Sequence, residues 1–501
     1  MSSPLRNAAS NFLAGLLPAL VLLVTTPILV RGLGADGYGT LVLILSITGY
    51  MSMFDINMTA GSVKFIAEYQ AKQDPDKIMQ VVCFGIAIYA AIALVGATLL
   101  FFGAPWLGAV FVKSPGDLTA DLIKIAALGF VFGQFQAFLM SVPQGMQRYD
   151  ISARIETLFG TLAPILSASI VYFGANLAGV VWLRNLLGGL SLIVLTWACS
   201  KLLGRVYWSW PPQIMRQKML GFTAFAYLSR IASVTYTHAD KLVIGAVLGA
   251  KDVAYFAVPT LLANRIFSLS FRLIHMVFPM SSALLASKRI TDLERLLLTA
   301  TRYTFYLNAA AVAVVCSLSG WFLSAWLGPD FAVKGRWIMT FVAGGALLDS
   351  LTNVPALVTD GGGRTRLTGS FAFARCLVGL AAVYLGAKLG GIEGVAIAHL
   401  ATSTVFTVAF LTYFFHSVLR LSVWTWFRDA IAPGALVGML MTVGAYLSTL
   451  LPISDGRQTV TAAVVMAAIG LLGGWYWILE ADVRRKIILK WQLWQTTKVG
   501  Q

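Results

Sequence analysis

Long apolar runs separated by short polar loops fill almost the whole chain. A membrane-spanning helix needs about 20 apolar residues, and windows of that length predict about fourteen spans. They cover roughly residues 9–31, 37–63, 78–103, 118–143, 152–173, 176–201, 219–249, 252–284, 298–322, 335–359, 367–387, 391–416, 428–450 and 458–480. The pattern predicts an all-α polytopic membrane protein.

Composition supports a membrane protein. The 501 residues are 58% hydrophobic and 12% charged, whereas a soluble domain carries about 25% charged residues. A net charge of +16 would suit a nucleic-acid partner, but no basic stripe is interleaved with aromatic residues as such binding requires. The Lys and Arg residues instead favour alternate loops by about three to one, which predicts cytoplasmic N- and C-termini.

The chain repeats itself. VYFGANLAG at Val171–Gly179 returns as VYLGAKLGG at Val383–Gly391, an offset of 383 minus 171, or 212. LGA at Leu33–Ala35, before a tyrosine, returns at Leu248–Ala250 with an offset of 250 minus 35, or 215. Two copies of six spans begin on the same side of the membrane, so we expect a parallel repeat with a site between the halves.

The repeat predicts five regions along the chain. They are an N-terminal six-helix lobe (1–205), a cytoplasmic linker and hinge (206–218), a C-terminal six-helix lobe (219–418), two additional transmembrane helices (425–480) and a basic cytoplasmic tail (481–501).

Two spans carry ionisable residues on one helical face. The first has Arg230, Ser233, Thr237 and Asp240, with Lys241 beside them, and the second has Arg265, Ser268, Arg272 and His275. Steps of three, four and three positions place each set on one side of an α-helix. Three arginines facing lipid would cost about 8 to 10 kcal/mol. We therefore expect them to face a watered cavity.

Span two repeats these steps with Ser52, Asp55, Thr59 and Ser62. Asp55 has two open interpretations: coupling of transport to a proton or sodium gradient, because low dielectric raises a carboxyl pKa, or pairing with a buried arginine.

The roles of the remaining charged residues also have more than one interpretation. Asp240 and Lys241 favour a structural ion pair, and Arg184 and Arg375 either line the cavity or extend to the membrane surface.

Nothing in the sequence indicates catalysis, a metal or a cofactor. The four cysteines are single, and the four histidines have no metal-ligand spacing. The glycine run DGGGRTR at Asp360–Arg366 lacks the lysine and helix start of a phosphate-binding loop. No nucleophile has an adjacent base, and the outer loops are too short for a catalytic domain. We expect a transporter and no enzyme, which disfavours a membrane glycan polymerase or ligase.

Two segments carry a family likeness. TPILVRGLGADGYGTLVLILSITGYMSMFD at Thr26–Asp55 and DKLVIGAVLGAKDVAYFAVP at Asp240–Pro259 resemble matching segments of bacterial O-antigen type polysaccharide flippases. These belong to the multidrug/oligosaccharidyl-lipid/polysaccharide exporter superfamily. The resemblance implies two lobes forming a V-shaped central cavity in the inner membrane. It also implies a substrate of undecaprenyl-pyrophosphate carrying an oligosaccharide, surrounding membrane lipids, and polysaccharide polymerase or assembly proteins as partners.

Phosphate-binding positions vary among such flippases, so the site prediction rests on the charges of this chain. We expect Arg230, Arg265 and Arg272 to bind the pyrophosphate, with Arg184, Arg375 and His275 as further cavity groups, because guanidinium pairs bidentately with phosphate. A drug or cation antiporter of the same superfamily is the alternative, and it would require an acidic cavity.

Overall fold

Helices make up nearly all of the backbone in the computed structural model, which describes residues 4–55, 58–113, 117–274, 276–419, 421–451, 455–485 and 488–489. The α-helices are α1 (Pro4–Tyr50), α2 (Met58–Ala71), α3 (Pro75–Leu107), α4 (Asp117–Leu139), α5 (Ser141–Gly145), α6 (Tyr149–Tyr172), α7 (Leu177–Leu203), α8 (Gln213–Leu248), α9 (Ala250–Ile274), α10 (Val277–Ala286), α11 (Ile290–Leu327), α12 (Pro329–Gly361), α13 (Thr365–Ser417), α14 (Val423–Trp426), α15 (Ala432–Thr449) and α16 (Asp455–Gly473). A 3₁₀ turn at Met51–Phe54 follows α1, and π-helical turns occur at Gly108–Val112, Phe427–Ile431 and Gly474–Ile478.

Ten helices in the described residues are long and apolar enough to cross a membrane, which confirms an all-α multi-pass membrane protein. Two of the long helices each contain a break. Helix α13 has 53 residues and would extend about 80 Å at 1.5 Å per residue, far beyond a hydrocarbon core of about 30 Å. Glycine permits backbone angles that break it at Gly390 and Gly391, and Gly34 breaks α1. The exact count of fourteen spans stays a prediction.

The sequence repeat extends to the backbone. Residues with left-handed φ recur in pairs: Gly34 and Gly249, Gln73 and Lys288, Lys113 and Gly328, Gln147 and Gly363, and Gly174 and Gly391. The first three pairs are 215 residues apart (249 minus 34, for example), and the last two are 216 and 217 apart. Both halves therefore interrupt their helices at the same places in the same order.

The chain divides into two compact units. The first unit comprises Leu13–Ala257 with Ala372–Val395, and the second comprises Met1–Phe12, Val258–Phe371 and Ala396–Gln501. Helix α8 begins at Gln213, so the end of the expected linker is helical, and the whole helix packs with the first unit. The proposed functional boundaries at 205 and 219 stay a prediction.

Each unit has its own apolar core. In the first unit, Gly85 lies against the ring of Phe138 so closely that a Cβ atom would stand 2.0 Å from it. In the second unit, α15 and α16 pack together beside α11, with Val437 and Met466 buried between them. Lipid is as apolar as these side chains, so close packing through small residues stabilises such contacts.

Residues 206–212, the part of the expected linker and hinge that precedes α8, lie against α3. The Cys83 thiol donates to the Tyr207 carbonyl at 3.6 Å, and the Ser209 N–H donates to the Cys83 sulfur at 3.4 Å. The Tyr207 hydroxyl donates to Asp76, and this bond raises the pKa of Tyr207. Partners more than 120 residues away fasten the segment, which local composition does not reveal.

Candidate functional site

A cavity of about 360 Å³ with a mixed polar and apolar lining lies inside the first unit, between the end of α1, α4 and α7. Its polar wall is formed by Thr48, Ser52, Asp55, Gln134, Arg184 and Asn185.

Glycines open the space. Gly49, Gly129 and Gly133 also line the cavity, and a Cβ atom on Gly133 would meet no heavy atom within 4 Å. The volume is at the lower end of the range of about 300 to 1,000 Å³ for small-molecule sites.

Arg184 contributes the positive charge of this cavity. Helix α7 places the half-buried side chain on the cavity wall, with Tyr38 of α1 as an electrostatic neighbour. Across the described residues, no carboxylate oxygen lies within 4.0 Å of its guanidinium nitrogens. A charge within a membrane span costs about 2.5 to 3.5 kcal/mol. The arrangement is therefore suited to an anionic ligand that offsets this cost.

Asp55 lines the same cavity and is 5% exposed. Its Oδ1 atom accepts a hydrogen bond of 2.6 Å from the Tyr89 hydroxyl, and Tyr89 of α3 is fully buried. The sequence interpretations of Asp55 named an ion or an arginine as its partner. The structure adds a tyrosine that neither interpretation included.

The expected helical stripe through Asp55 is wrong. Helix α1 ends at Tyr50, the 3₁₀ turn follows, and Asp55 has extended backbone angles (φ −67°, ψ 105°). Since α2 begins only at Met58, Ser52 and Ser62 do not lie on one continuous helix. A 3₁₀ turn commonly ends a helix, and regular spacing of polar residues does not show it.

Two amides that were not predicted from the sequence, Gln134 and Asn185, also line the cavity. The Asn185 amide donates to the Ile125 carbonyl at 2.6 Å, and its Oδ1 faces Gly129. Gln134 is 5% exposed, and its Oε1 atom has no hydrogen-bond partner among the described residues. Both are neutral, but Asn185 directly follows Arg184 and Gln134 lies two positions before Gln136, and these neighbours are the signal that could have drawn attention to them.

Asp240 and Lys241 form an ion pair in α8. The Lys241 Nζ lies 3.0 Å from Asp240 Oδ1 and also donates to the Thr237 carbonyl at 2.8 Å. Asp240 is 8% exposed, and its charge is offset by the adjacent lysine.

The remaining predicted residues lie elsewhere or outside the described part. Arg375 is half-buried on α13 in the first unit, and Arg265 is exposed on α9 in the second. The side chains of Arg230 and Arg272, and all of His275, lie outside the described residues. Within the described ranges, no group of three His, Cys, Asp or Glu residues could hold a metal ion.

Comparison with known proteins identifies the family. Residues 5–285, more than half of the chain, match the family described as "Polysaccharide biosynthesis protein". The "Putative O-antigen transporter" of Shigella flexneri is 20% identical over 408 residues, covering 79% of this chain and 94% of that protein. The "Uncharacterized membrane protein EpsK" of Bacillus subtilis (strain 168) is 24% identical over 369 residues, covering 70% of each chain.

Two solved structures share the fold. "Lipid II flippase MurJ, inward closed conformation" has a TM-score of 0.70 at 14% identity, covering 95% of this chain and 99% of that one. A multidrug resistance MATE family transporter of the MOP superfamily, in an inward-facing conformation, has a TM-score of 0.63 at 14% identity, covering 82% and 99%. The family match and the shared fold together show that this chain belongs to the polysaccharide biosynthesis protein family and has the fold of MOP superfamily transporters.

Proposed function

We propose that this protein is a flippase for undecaprenyl-pyrophosphate-linked oligosaccharide repeat units in O-antigen or exopolysaccharide biosynthesis. It moves them by alternating access from the cytoplasmic to the periplasmic leaflet of the bacterial inner membrane. The family match and the names of the Shigella relative and of MurJ support a lipid-linked glycan. The observation that carries the proposal is Arg184, which lines a cavity from within the apolar span of α7 and has no carboxylate within 4.0 Å of its guanidinium among the described residues.

The anionic headgroup explains why such a charge is retained. Guanidinium binds phosphate oxygens bidentately and remains charged at any physiological pH. We assign Arg184 to headgroup binding, and we propose Arg230, Arg265 and Arg272, with Arg375 and His275, as further contacts. The sugars occupy the central cavity expected from the sequence, while the lipid tail stays in the bilayer.

The membrane potential supplies a driving force. The potential is negative inside, so moving two negative charges outward is favourable and releases about 4 to 5 kcal/mol per 100 mV. Exchange of a proton or sodium ion at Asp55 would add a second driving force for transport. The alternative is a structural role for Asp55 through its bond to Tyr89.

The shared MATE fold makes a drug or cation antiporter the second candidate. Such a protein would need an acidic cavity to attract a cation, whereas this cavity is lined by Arg184 as well as by Asp55. A glycan polymerase or ligase is less favoured, because it would need a large outer loop carrying catalytic residues, and the loops of this sequence are short.

The proposed orientation places both termini in the cytoplasm, and polysaccharide polymerase or assembly proteins are proposed partners. A reporter fused to the C-terminus that is active only in the cytoplasm tests this orientation. An active periplasmic reporter at the same position would contradict it.

A deletion strain tests the function. We expect lipid-linked repeat units to accumulate in the inner leaflet and surface polysaccharide to disappear. Normal glycan export with a changed drug sensitivity would favour the antiporter. Arg265→Ala and Arg272→Ala proteins, made at normal levels, should restore export poorly. Full restoration by both would remove them from the proposed site.

A further inference from the structure

The cavity of the first unit offers hydrogen-bond donors and acceptors from different helices. Arg184 on α7 has five N–H donors and no acceptor. Gln134 on α4 and Asp55 after α1 line the same cavity, and the side chain of each carries oxygen atoms. A ligand that fits must therefore carry an oxyanion and also donate hydrogen bonds.

Gln134 is the reason why the ligand should also donate a hydrogen bond. The side chain is 5% exposed, and its Oε1 atom has no hydrogen-bond partner within the described ranges. Leaving a buried acceptor without a donor is unfavourable, whereas a ligand hydroxyl or amide N–H would satisfy it. Gln134 lines the same cavity as Arg184.

The size narrows the ligand further. A volume of about 360 Å³ is near the smallest that small-molecule sites use, so it admits a small part of a glycan and not a whole repeat unit. An apolar drug would leave both Arg184 and Gln134 without partners.

We propose that this cavity binds the sugar–phosphate junction of the substrate, with a phosphoryl oxygen at Arg184 and a donor group of the first sugar at Gln134. The inference rests on the proposed flippase function and assigns the first sugar, together with its phosphate, as the part recognised in the first unit. Specificity for that sugar then depends on a neutral amide on α4.

Binding to the full-length protein in lipid nanodiscs tests the proposal. The probes are farnesyl diphosphate and its glucose-linked and N-acetylglucosamine-linked forms. The wild-type protein should bind at least one sugar-linked probe more tightly than farnesyl diphosphate. In Gln134→Met this preference should fall about three- to ten-fold, the effect of one hydrogen bond, while affinity for farnesyl diphosphate changes less than two-fold.

Gln136→Met is the matched control. Gln136 lies on the same helix and donates to Ser191 at 2.8 Å, and it does not line the cavity, so its variant should keep the preference. Arg184→Gln should weaken all three probes at least ten-fold. Gln134→Leu provides a second variant if Gln134→Met does not fold.

The outcomes separate the two proposals. If the sugar preference persists in both Gln134 variants, or disappears equally in Gln136→Met, the assignment of the cavity is overturned while the flippase function stands. If the wild-type protein binds all three probes equally, the assignment of the cavity is also overturned while the flippase function stands. If farnesyl diphosphate does not bind the wild-type protein and the deletion strain accumulates no lipid-linked glycan, both proposals fail.

Discussion

The helix pair α4–α7 in the first half of the chain has a counterpart in the second half, formed by α12 and the last part of α13. A Cβ atom on Gly129 would stand 2.3 Å from Asn185, and one on Gly344 would stand 3.5 Å from Leu400. Both residues of the first contact lie 215 positions before their counterparts (344 minus 129, and 400 minus 185). The two halves thus repeat the same helix crossing at equivalent residues.

The chemistry beside this crossing is not repeated. The same offset of 215 (349 minus 134, and 399 minus 184) pairs Gln134 with Asp349 and Arg184 with His399. At these two positions the first half has a neutral amide and an arginine, with Asp55 in the same cavity, and the second half has an aspartate and a histidine. The repeat preserves the backbone, while each half has its own chemistry. Anion binding is accordingly expected from the first half.

Substitution of Arg184 gives the largest expected effect. Arg184→Gln removes charge-assisted hydrogen bonds of about 1.5 to 3 kcal/mol, which corresponds to a loss of about ten- to hundred-fold in substrate affinity. Surface polysaccharide in a complemented deletion strain should fall sharply at normal protein levels. Arg184→His, which installs the residue of the second half, should recover only part of the activity.

Two controls accompany this prediction. Arg154→Gln changes an exposed arginine on α6 and should leave export unchanged. His399→Gln should reduce export less than Arg184→Gln does. An equal loss in His399→Gln would show that the difference between the halves is not the basis of anion binding.

A substitution that fills the cavity is expected to give the second largest effect on export. Position 348, which lies 215 residues after Gly133, is Leu348, so Gly133→Leu copies the second half into the first. The new side chain enters the open space at Gly133 and should reduce export about five-fold by excluding the ligand. Glycine in a helix interior is unfavourable by about 1 kcal/mol, so the thermal stability of the purified variant should not fall.

Gly160→Leu is the matched control, because Gly160 is also helical and also has no heavy atom within 4 Å of a Cβ position. It does not line the cavity. An equal loss of export in both variants would mean that a leucine on an open helix surface, and not the filled cavity, causes the defect.

Much of the fold could be predicted from the sequence. Apolar runs predicted the spans, because about 30 Å of hydrocarbon requires about 20 apolar residues whatever the tertiary structure. Two short repeated motifs indicated the duplication that the paired breaks at Gly34 and Gly249 now extend. These features depend on local composition, which a single sequence displays.

The cavity could be predicted only in part. Arg184 was found because a charge in an apolar span is costly wherever it points. The roles of Gln134 and Gly133 depend on which helices enclose the same space, a tertiary property that neither residue signals. The helix ending before Asp55 was likewise hidden, since residue spacing assumes that the helix continues.

Removal of the Tyr89 hydrogen bond is expected to give a smaller effect, which is on stability. Tyr89→Phe removes the donor 2.6 Å from Asp55 and should reduce the free energy of unfolding by about 1 to 3 kcal/mol, because a buried acceptor loses one of its hydrogen bonds. Thermal unfolding of the purified protein measures this loss. Tyr306→Phe, which removes a hydrogen bond from a tyrosine hydroxyl to the Gly470 carbonyl in the second unit, is the control in the same thermal unfolding measurement. If Tyr89→Phe is as stable as wild type, the bond does not hold Asp55 in place.

The ion pair of Asp240 and Lys241 gives the smallest expected effect on export. Because each charge is offset by the other at 3.0 Å, the pair contributes little net charge to the protein. The double variant Asp240→Asn/Lys241→Gln should therefore change export less than two-fold. Either single variant should be less stable than the double one, because it leaves a largely buried charge without its partner. Thermal unfolding of the three proteins measures the difference. A ten-fold loss of export in the double variant, at normal protein levels, would show that charge at these positions acts directly on the substrate, and Arg184 would then share its proposed role.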